Sequence, residues 1–234
     1  MNYRTLILLA LLGTAACKEK TAARTRLDIP LNQKIDALLK EANAATDDNK
    51  KAALFGEAAE LLVDKGDLKA ALNAARSGER ANPTQKQCLT AIAEVQLAEG
   101  KVAEAAQTIR DALQRHPNHG RAHYVQGNVY ASQTNFAAAL KSYAAAEKNT
   151  FTDHRLLINA GAINLRAKKS RDALKVYERA IQSYPDLAEA YLGAGIAAQN
   201  EKKKADAKKH FEKYLALSPN SSEAGRVKVW LKNL

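Results

Sequence analysis

The sequence predicts an all-α protein: a right-handed α-solenoid of about five repeated helix pairs, closed by a capping helix at each end. Three observations predict it. Alanine makes up about a fifth of the chain, and with Leu, Lys, Glu and Gln it gives a composition dominated by good helix formers. Only 11 Gly and 5 Pro occur in 234 residues, too few for the many turns of a sandwich or barrel. Third, small residues recur at a fixed period of 34, at Ala71, Ala105, Ala139, Ala173 and Ala207.

The same period organises other positions. Ala59, Ala93, Gly127, Gly161 and Gly195 are all small, as are Gly78, Ala112, Ala146 and Ala180, with Tyr214 the exception in that series. Ala75, Ile109, Tyr143, Tyr177 and Phe211 form a mostly large series. Pro83, Pro117, Pro185 and Pro219 share one register, and Phe151 fills the missing slot. The residue before Pro avoids the helical region, so each of these prolines ends a helix. Small residues let two helices approach closely where they cross, and Ala139 is expected at such a crossing. Larger residues fill the gaps between neighbours. The units are 52–85, 86–119, 120–153, 154–187 and 188–221, each with turn residues such as Lys65-Gly66-Asp67 between its two helices. One pair cannot bury its own apolar face, but a stack of pairs makes a continuous core.

This pattern resembles the tetratricopeptide-repeat family, most clearly over 120–153 at Gly127, Tyr130, Ala139, Tyr143 and Ala146. Residues 31–51 are expected to form an N-terminal capping helix, a degenerate half-repeat with Ile35, Leu38, Leu39 and Ala42 on one face and Ala37 and Ala44 in small-residue slots. Residues 222–234 place Val227, Trp230, Leu231 and Leu234 at helical spacing, the signature of a closing helix with Trp230 in its core.

Ahead of the repeats, residues 1–17 read MNYRTLILLALLGTAAC. Arg4 gives a short positive region, and the apolar run 6–12 is too short for a membrane helix, which needs roughly 20 residues. The small residues Thr14, Ala15 and Ala16 before Cys17 resemble a bacterial lipoprotein signal. That resemblance implies a signal peptide over 1–16, acylation of Cys17 (detectable as palmitate), and a tether over 17–30. Lys18 follows the cysteine where an Asp would favour the inner membrane, so the resemblance implies an outer-membrane location facing the periplasm. Cys88, inside an apolar stretch, is then expected to be a buried, inert thiol without a disulfide partner.

The charge of +11 is unevenly spread. Residues 154–234 hold 16 Lys/Arg against 8 Asp/Glu, whereas 52–119 hold 8 against 9. Lys202, Lys203 and Lys204 fall at an inter-helix turn, and Lys208 and Lys209 on the outer face of a second helix. This secondary basic face is either a solvated surface or one for an anionic partner such as lipid or lipopolysaccharide phosphates. An exported chain is not expected to meet nucleic acid.

In tetratricopeptide proteins the first helix of each unit lines a concave groove. Mapped by repeat position, the resemblance implies acidic lining at Glu57, Glu60, Asp64 and Glu94. It then implies the protein-binding residues Arg121, Tyr124, Asn128, Arg155, Asn159 and Arg166, and an apolar stretch at Ile158, Leu165, Leu192 and Ile196. Arg and Tyr are favoured anchors at interfaces. Asn128 and Asn159 occupy the Asn slots of the family's carboxylate clamp, but Tyr124, Glu189 and Gly193 stand where its cations belong, which excludes that mode.

Catalysis is not expected. Gly-rich phosphate loops and GxSxG are lacking, and Asp47-Asp48 sits in a turn-like segment. His116, His119 and His123 are close in sequence, but neither HExxH nor a Cys pair accompanies them, so neither metal nor cofactor is expected. The expected function is a non-enzymatic, lipid-anchored interaction scaffold of the bacterial envelope. Lipoproteins of this design include pilotins for type IV pilus secretins, nearest in size and repeat style, and adaptors for peptidoglycan hydrolases. The alternative is a soluble periplasmic binding module for a metal or small ligand.

Overall fold

The structure, a computed structural model, describes residues 21–234, with side chains from residue 31 onward. The signal segment and Cys17 lie outside the described residues. Twelve α-helices and no strand occur among the described residues: α1 Thr21–Ala44, α2 Asp48–Lys65, α3 Leu68–Ala81, α4 Lys86–Ala98, α5 Val102–Arg115, α6 Gly120–Ser132, α7 Phe136–Lys148, α8 His154–Arg166, α9 Ser170–Ser183, α10 Ala188–Asn200, α11 Lys204–Leu217 and α12 Ala224–Lys232. None of the described helices is long and apolar enough to cross a membrane. The all-α class expected from the composition and the period is the one observed.

The chain divides into two compact units. The N-terminal unit comprises residues 21–135 with Lys141–Phe151, and the C-terminal unit Phe136–Leu140 with Thr152–Leu234. Within the N-terminal unit α1 packs on α2, α2 on α3 and α4, and α4 on α5 and α6. The C-terminal unit repeats the scheme: α8 packs on α9 and α10, α9 on α10, α10 on α11, and α11 on α12. Each first helix is therefore sandwiched, while each second helix keeps an open face. α10 buries nine of its thirteen residues, whereas α11 buries three of fourteen.

The period has a physical cause at three positions. The five alanines of the series beginning at Ala71 are all fully buried. The second small series sits under aromatic rings. A Cβ on Gly127 would stand 2.3 Å from the Tyr143 ring, one on Gly161 2.6 Å from Tyr177, and one on Gly195 2.5 Å from Phe211. Where the small residue is Ala59 or Ala93, the partner position holds Ala75 or Ile109 instead of a ring. The third cause is the inter-helix turn, where the chain turns left-handed at Gly66, Gly100, Thr134, Lys168 and Lys202, with φ between 59° and 86°. Glycine meets no steric cost there, but Thr134 is β-branched and does.

Caps and turns follow from local chemistry. Asp47 caps α2 by accepting from the Lys50 N–H at 2.7 Å, and Asp67 caps α3 by accepting from Ala70 at 3.0 Å. Phe151, in the missing Pro slot, is reached by another left-handed residue, Thr150 at φ 64°. The Phe151 N–H bonds Ala146 O at 3.0 Å, and the ring stacks on Tyr124 with centroids 4.9 Å apart. The helix-ending role of Pro is thus replaced by a left-handed C-terminal turn.

The histidines serve turns. His116 Nε2 lies 2.6 Å from Thr84 O, and Tyr184, two repeats later, donates its hydroxyl to Thr152 O. His123 Nε2 lies 2.7 Å from Pro117 O, and Tyr191, again two repeats later, donates to Pro185 O at 3.0 Å. His and Tyr are interchangeable here because each offers a ring-borne donor at similar reach.

Both termini differ from a plain repeat. α1 begins at Thr21, so it runs through 21–30, the segment expected to be tether; Ala22, Ala23, Arg24 and Arg26 are good helix formers. Ile35 and Ala42 of α1 are buried while Ala37 and Ala44 are exposed, so this helix packs in its own register rather than that of a half-repeat. Lys34–Glu57 at 2.8 Å and Lys50–Glu41 at 2.9 Å flank its contact with α2. At the other end Val227 is fully buried and Trp230 packs on Phe211 with centroids 5.5 Å apart, covering the last pair.

Candidate protein-interaction surfaces

In the N-terminal unit the acidic wall is largely internal. Arg121, from the first turn of α6, is 9% exposed. Its Nε donates to Glu94 Oε2 at 2.9 Å, and its terminal nitrogens donate to both oxygens of Asp64 at 2.8 and 3.1 Å. Glu60 Oε1 stands 3.9 Å away and faces His119 Nε2 at 3.7 Å. Burial alone would lower the Arg121 pKa, but Glu94, Asp64 and Glu60 outweigh it and hold the guanidinium charged. Three carboxylates, from α2 and α4, gather around this cation. Tyr124 and Asn128 are buried as well, at 4% and 7%. Tyr124 stacks on Phe151, and Asn128 Oδ1 accepts the Tyr143 hydroxyl at 2.8 Å. The structure therefore joins Arg121 to Glu60, Asp64 and Glu94, which the sequence presents as separate features. A shared repeat position, Glu60 with Glu94, was the only signal of it.

In the C-terminal unit Arg155 forms a two-pronged bond to its own N-cap residue. Its Nε donates to Asp153 Oδ1 at 2.9 Å and a terminal nitrogen to Oδ2 at 2.6 Å, while its N–H donates to Oδ1 at 2.8 Å. Burial would raise the Asp153 pKa, but the hydrogen bond and charge of Arg155 outweigh it and hold the carboxyl below its usual range. The Arg155 side chain remains 30% exposed. Arg166 is half-buried with its guanidinium carbon 4.7 Å from the centre of the Phe136 ring. Asn159 is 5% exposed. Leu165, Leu192 and Ile196 are buried in the core of this unit, correcting their expected place in a groove; Ile158 is partly buried against that core. The packing of α8 and α10 against their neighbours turns Leu165, Leu192 and Ile196 into the core.

Lys202, Lys203, Lys204, Lys208 and Lys209 are all exposed. Lys202 is the left-handed turn residue, Lys203 the N-cap of α11 and Lys204 its first residue. Lys208 lies 4.0 Å from Glu212.

Cys88 is free and buried, its Sγ donating to Ala52 O at 3.5 Å and filling the space left by Gly78, where a Cβ would stand 2.4 Å from the sulfur. Burial pushes its thiol up to about 12, so it stays protonated and unreactive at neutral pH. Among the described residues no three His, Cys, Asp or Glu side chains gather into a metal-binding group.

Residues 90–151 and 161–222 match the sequence profile of the family described as Tetratricopeptide repeat. The chain is 27% identical over 129 residues to the type IV pilus assembly protein PilF of Pseudomonas aeruginosa, a match covering 53% of this chain. The match spans 50% of that curated relative, about half its length. Among solved structures, one described as a functional characterisation of Pseudomonas aeruginosa pilF superposes with TM-score 0.60 at 16% identity, covering 87% of this chain and 93% of that one. YrrB, described as a tetratricopeptide-repeat protein with an unusual peptide-binding site, superposes with TM-score 0.59 at 18% identity, covering 86% and 100%. At these identities the superpositions establish the fold.

Proposed function

The chain belongs to the tetratricopeptide-repeat family, and from that premise we propose that it is a non-enzymatic scaffold, held at the bacterial outer membrane by lipid on Cys17, that binds a polypeptide partner through its first helices. Tetratricopeptide repeats are protein-interaction modules, so the general role follows from the family. The finer reading is that the partner belongs to an envelope assembly of the type IV pilus kind, such as a pilus secretin. One observation carries it: the similarity to PilF recurs in sequence and in fold, over a chain whose first residues resemble a lipoprotein signal. Arg155 and Arg166, both part-exposed on α8, are the anchors of the proposed site; Asn159 of the same helix is buried. In the N-terminal unit Arg121, Tyr124 and Asn128 are buried, so the proposed anchors are those of α8.

The test has two arms. Metabolic palmitate labelling should mark the wild type and not Cys17→Ser, and equal labelling or equal membrane fractionation refutes the anchor. A pull-down of pilus secretin with Arg155→Ala and Arg166→Ala should show binding weakened by about 1–2 kcal/mol each. Wild-type affinity in both variants, with folding checked by circular dichroism, refutes the site.

A further inference from the structure

One edge of the C-terminal unit is basic in a way its own folding does not require. The turn between α8 and α9 carries Lys168, Lys169 and Arg171, and the turn between α10 and α11 carries Lys202, Lys203 and Lys204. Arg171 Nε lies 3.6 Å from Glu201 Oε2, so the two turns are neighbours. All six cations are exposed.

Local physics disfavours lysine at several of these sites. Lys168 and Lys202 hold left-handed φ angles of 59° and 60°, a conformation that costs an L-residue other than Gly or Asn. The equivalent turns at Gly66 and Gly100 use glycine, and their flanking charges balance, as in the Lys101–Glu99 pair at 2.8 Å. Lys203 and Lys204 stand at the start of α11, the positive end of its dipole. Among the described residues none of Lys168, Lys169, Lys202, Lys203 or Lys204 has a carboxylate partner. Lys208, one helical turn beyond Lys204, extends the row along the same face.

We propose that this edge is a docking surface for the headgroup phosphates of an anionic phospholipid bilayer. The proposal rests on the reading of the chain as one held at a membrane through Cys17. A row of cations two turns wide matches a flat negative surface better than a shaped protein site. Basic clusters near such a surface are attracted within a Debye length, and salt screens them.

The test uses the full chain carrying Cys17→Ser, cosedimented with vesicles of phosphatidylcholine alone or with about 30% phosphatidylglycerol. The bound fraction should be at least ~10-fold higher on the anionic vesicles at low salt and should fall away near ~0.5 M salt. Lys168→Asn, Lys169→Gln, Lys202→Asn, Lys203→Gln and Lys204→Gln together should reduce binding to the neutral-vesicle level; Asn keeps the left-handed turns tolerable. Lys169→Gln, Lys203→Gln and Lys204→Gln alone leave those turns untouched and should cost at least ~3-fold. Removing the same number of charges from the N-terminal unit, with Lys40, Lys50, Lys65, Lys69 and Lys101 all changed to Gln, should leave binding within ~2-fold. Equal pelleting with both vesicle types, or equal loss in that control, overturns the proposal. So does a basic-edge variant that keeps its vesicle binding but loses an acidic protein partner. Palmitate labelling of the wild type reads the anchor separately. A labelled protein without anionic preference defeats the docking surface, and an unlabelled protein with that preference defeats the anchor.

Discussion

Gly195 and Phe211 show what a single residue decides in this fold. The Phe211 ring is fully buried and lies where the Gly195 side chain would be. Gly195→Ala should therefore overpack the α10–α11 crossing and cost about 1–3 kcal/mol in chemical denaturation. Because the pairing of Ala93 with Ile109 occurs naturally three repeats earlier in the chain, Phe211→Ile should relieve part of that loss. A double-mutant cycle should give a coupling of about 0.5–3 kcal/mol, and strict additivity would refute the contact. Asp153 decides a different matter. It caps α8 and grips Arg155, and its pKa is held down in the folded state. A depressed carboxylate contributes stability that is present above its unfolded pKa and lost as pH falls through the folded value. Asp153→Asn should therefore cost about 1 kcal/mol at neutral pH, with the two proteins converging in acid below about pH 4. Denaturant midpoints measured across that range check it.

At the scale of the element, the turn between helices is the repeated device, and it is not equally relaxed in every unit. Thr134 adopts the left-handed conformation that Gly66 and Gly100 accept without strain. Thr134→Gly should raise stability by up to about 1 kcal/mol, the relief of steric strain less the extra entropy of glycine in the unfolded chain. A lower midpoint would place the strain elsewhere. The helix pairs themselves were legible in the sequence, because small residues under rings, helix-ending prolines and turn residues all obey the 34-residue period. Phe151 stood in the sequence only as a departure; the left-handed Thr150 that replaces proline there could not be read, since a β-branched residue gives no warning of positive φ. The direction of Arg121 was also hidden. Repeat position tells which helix carries a residue, but a long charged side chain follows its neighbours, and here three carboxylates of α2 and α4 draw it inward. The apolar positions of α8 and α10 were misplaced for a related reason: a helix covered on several sides has no hydrophobic stripe to mark an open face.

At the scale of the whole molecule, charge and chemistry divide along the chain. In the N-terminal unit Glu60, Asp64 and Glu94 face Arg121 and Glu57 pairs with Lys34, while the C-terminal unit leaves a row of lysines in solvent. Cys88, the one thiol among the described residues, is buried in the N-terminal unit and held protonated. The proposed partner-binding face lies on the first helices, at the part-exposed Arg155 and Arg166 of α8. Photo-crosslinking from p-benzoylphenylalanine tests it most directly, placed in turn at Arg155 and Arg166 on α8 and at Lys175 and Glu178 on the open face of α9. The same polypeptide adduct is expected from both α8 positions and none from α9. Adducts from Lys175 and Glu178 with none from Arg155 and Arg166 would contradict it.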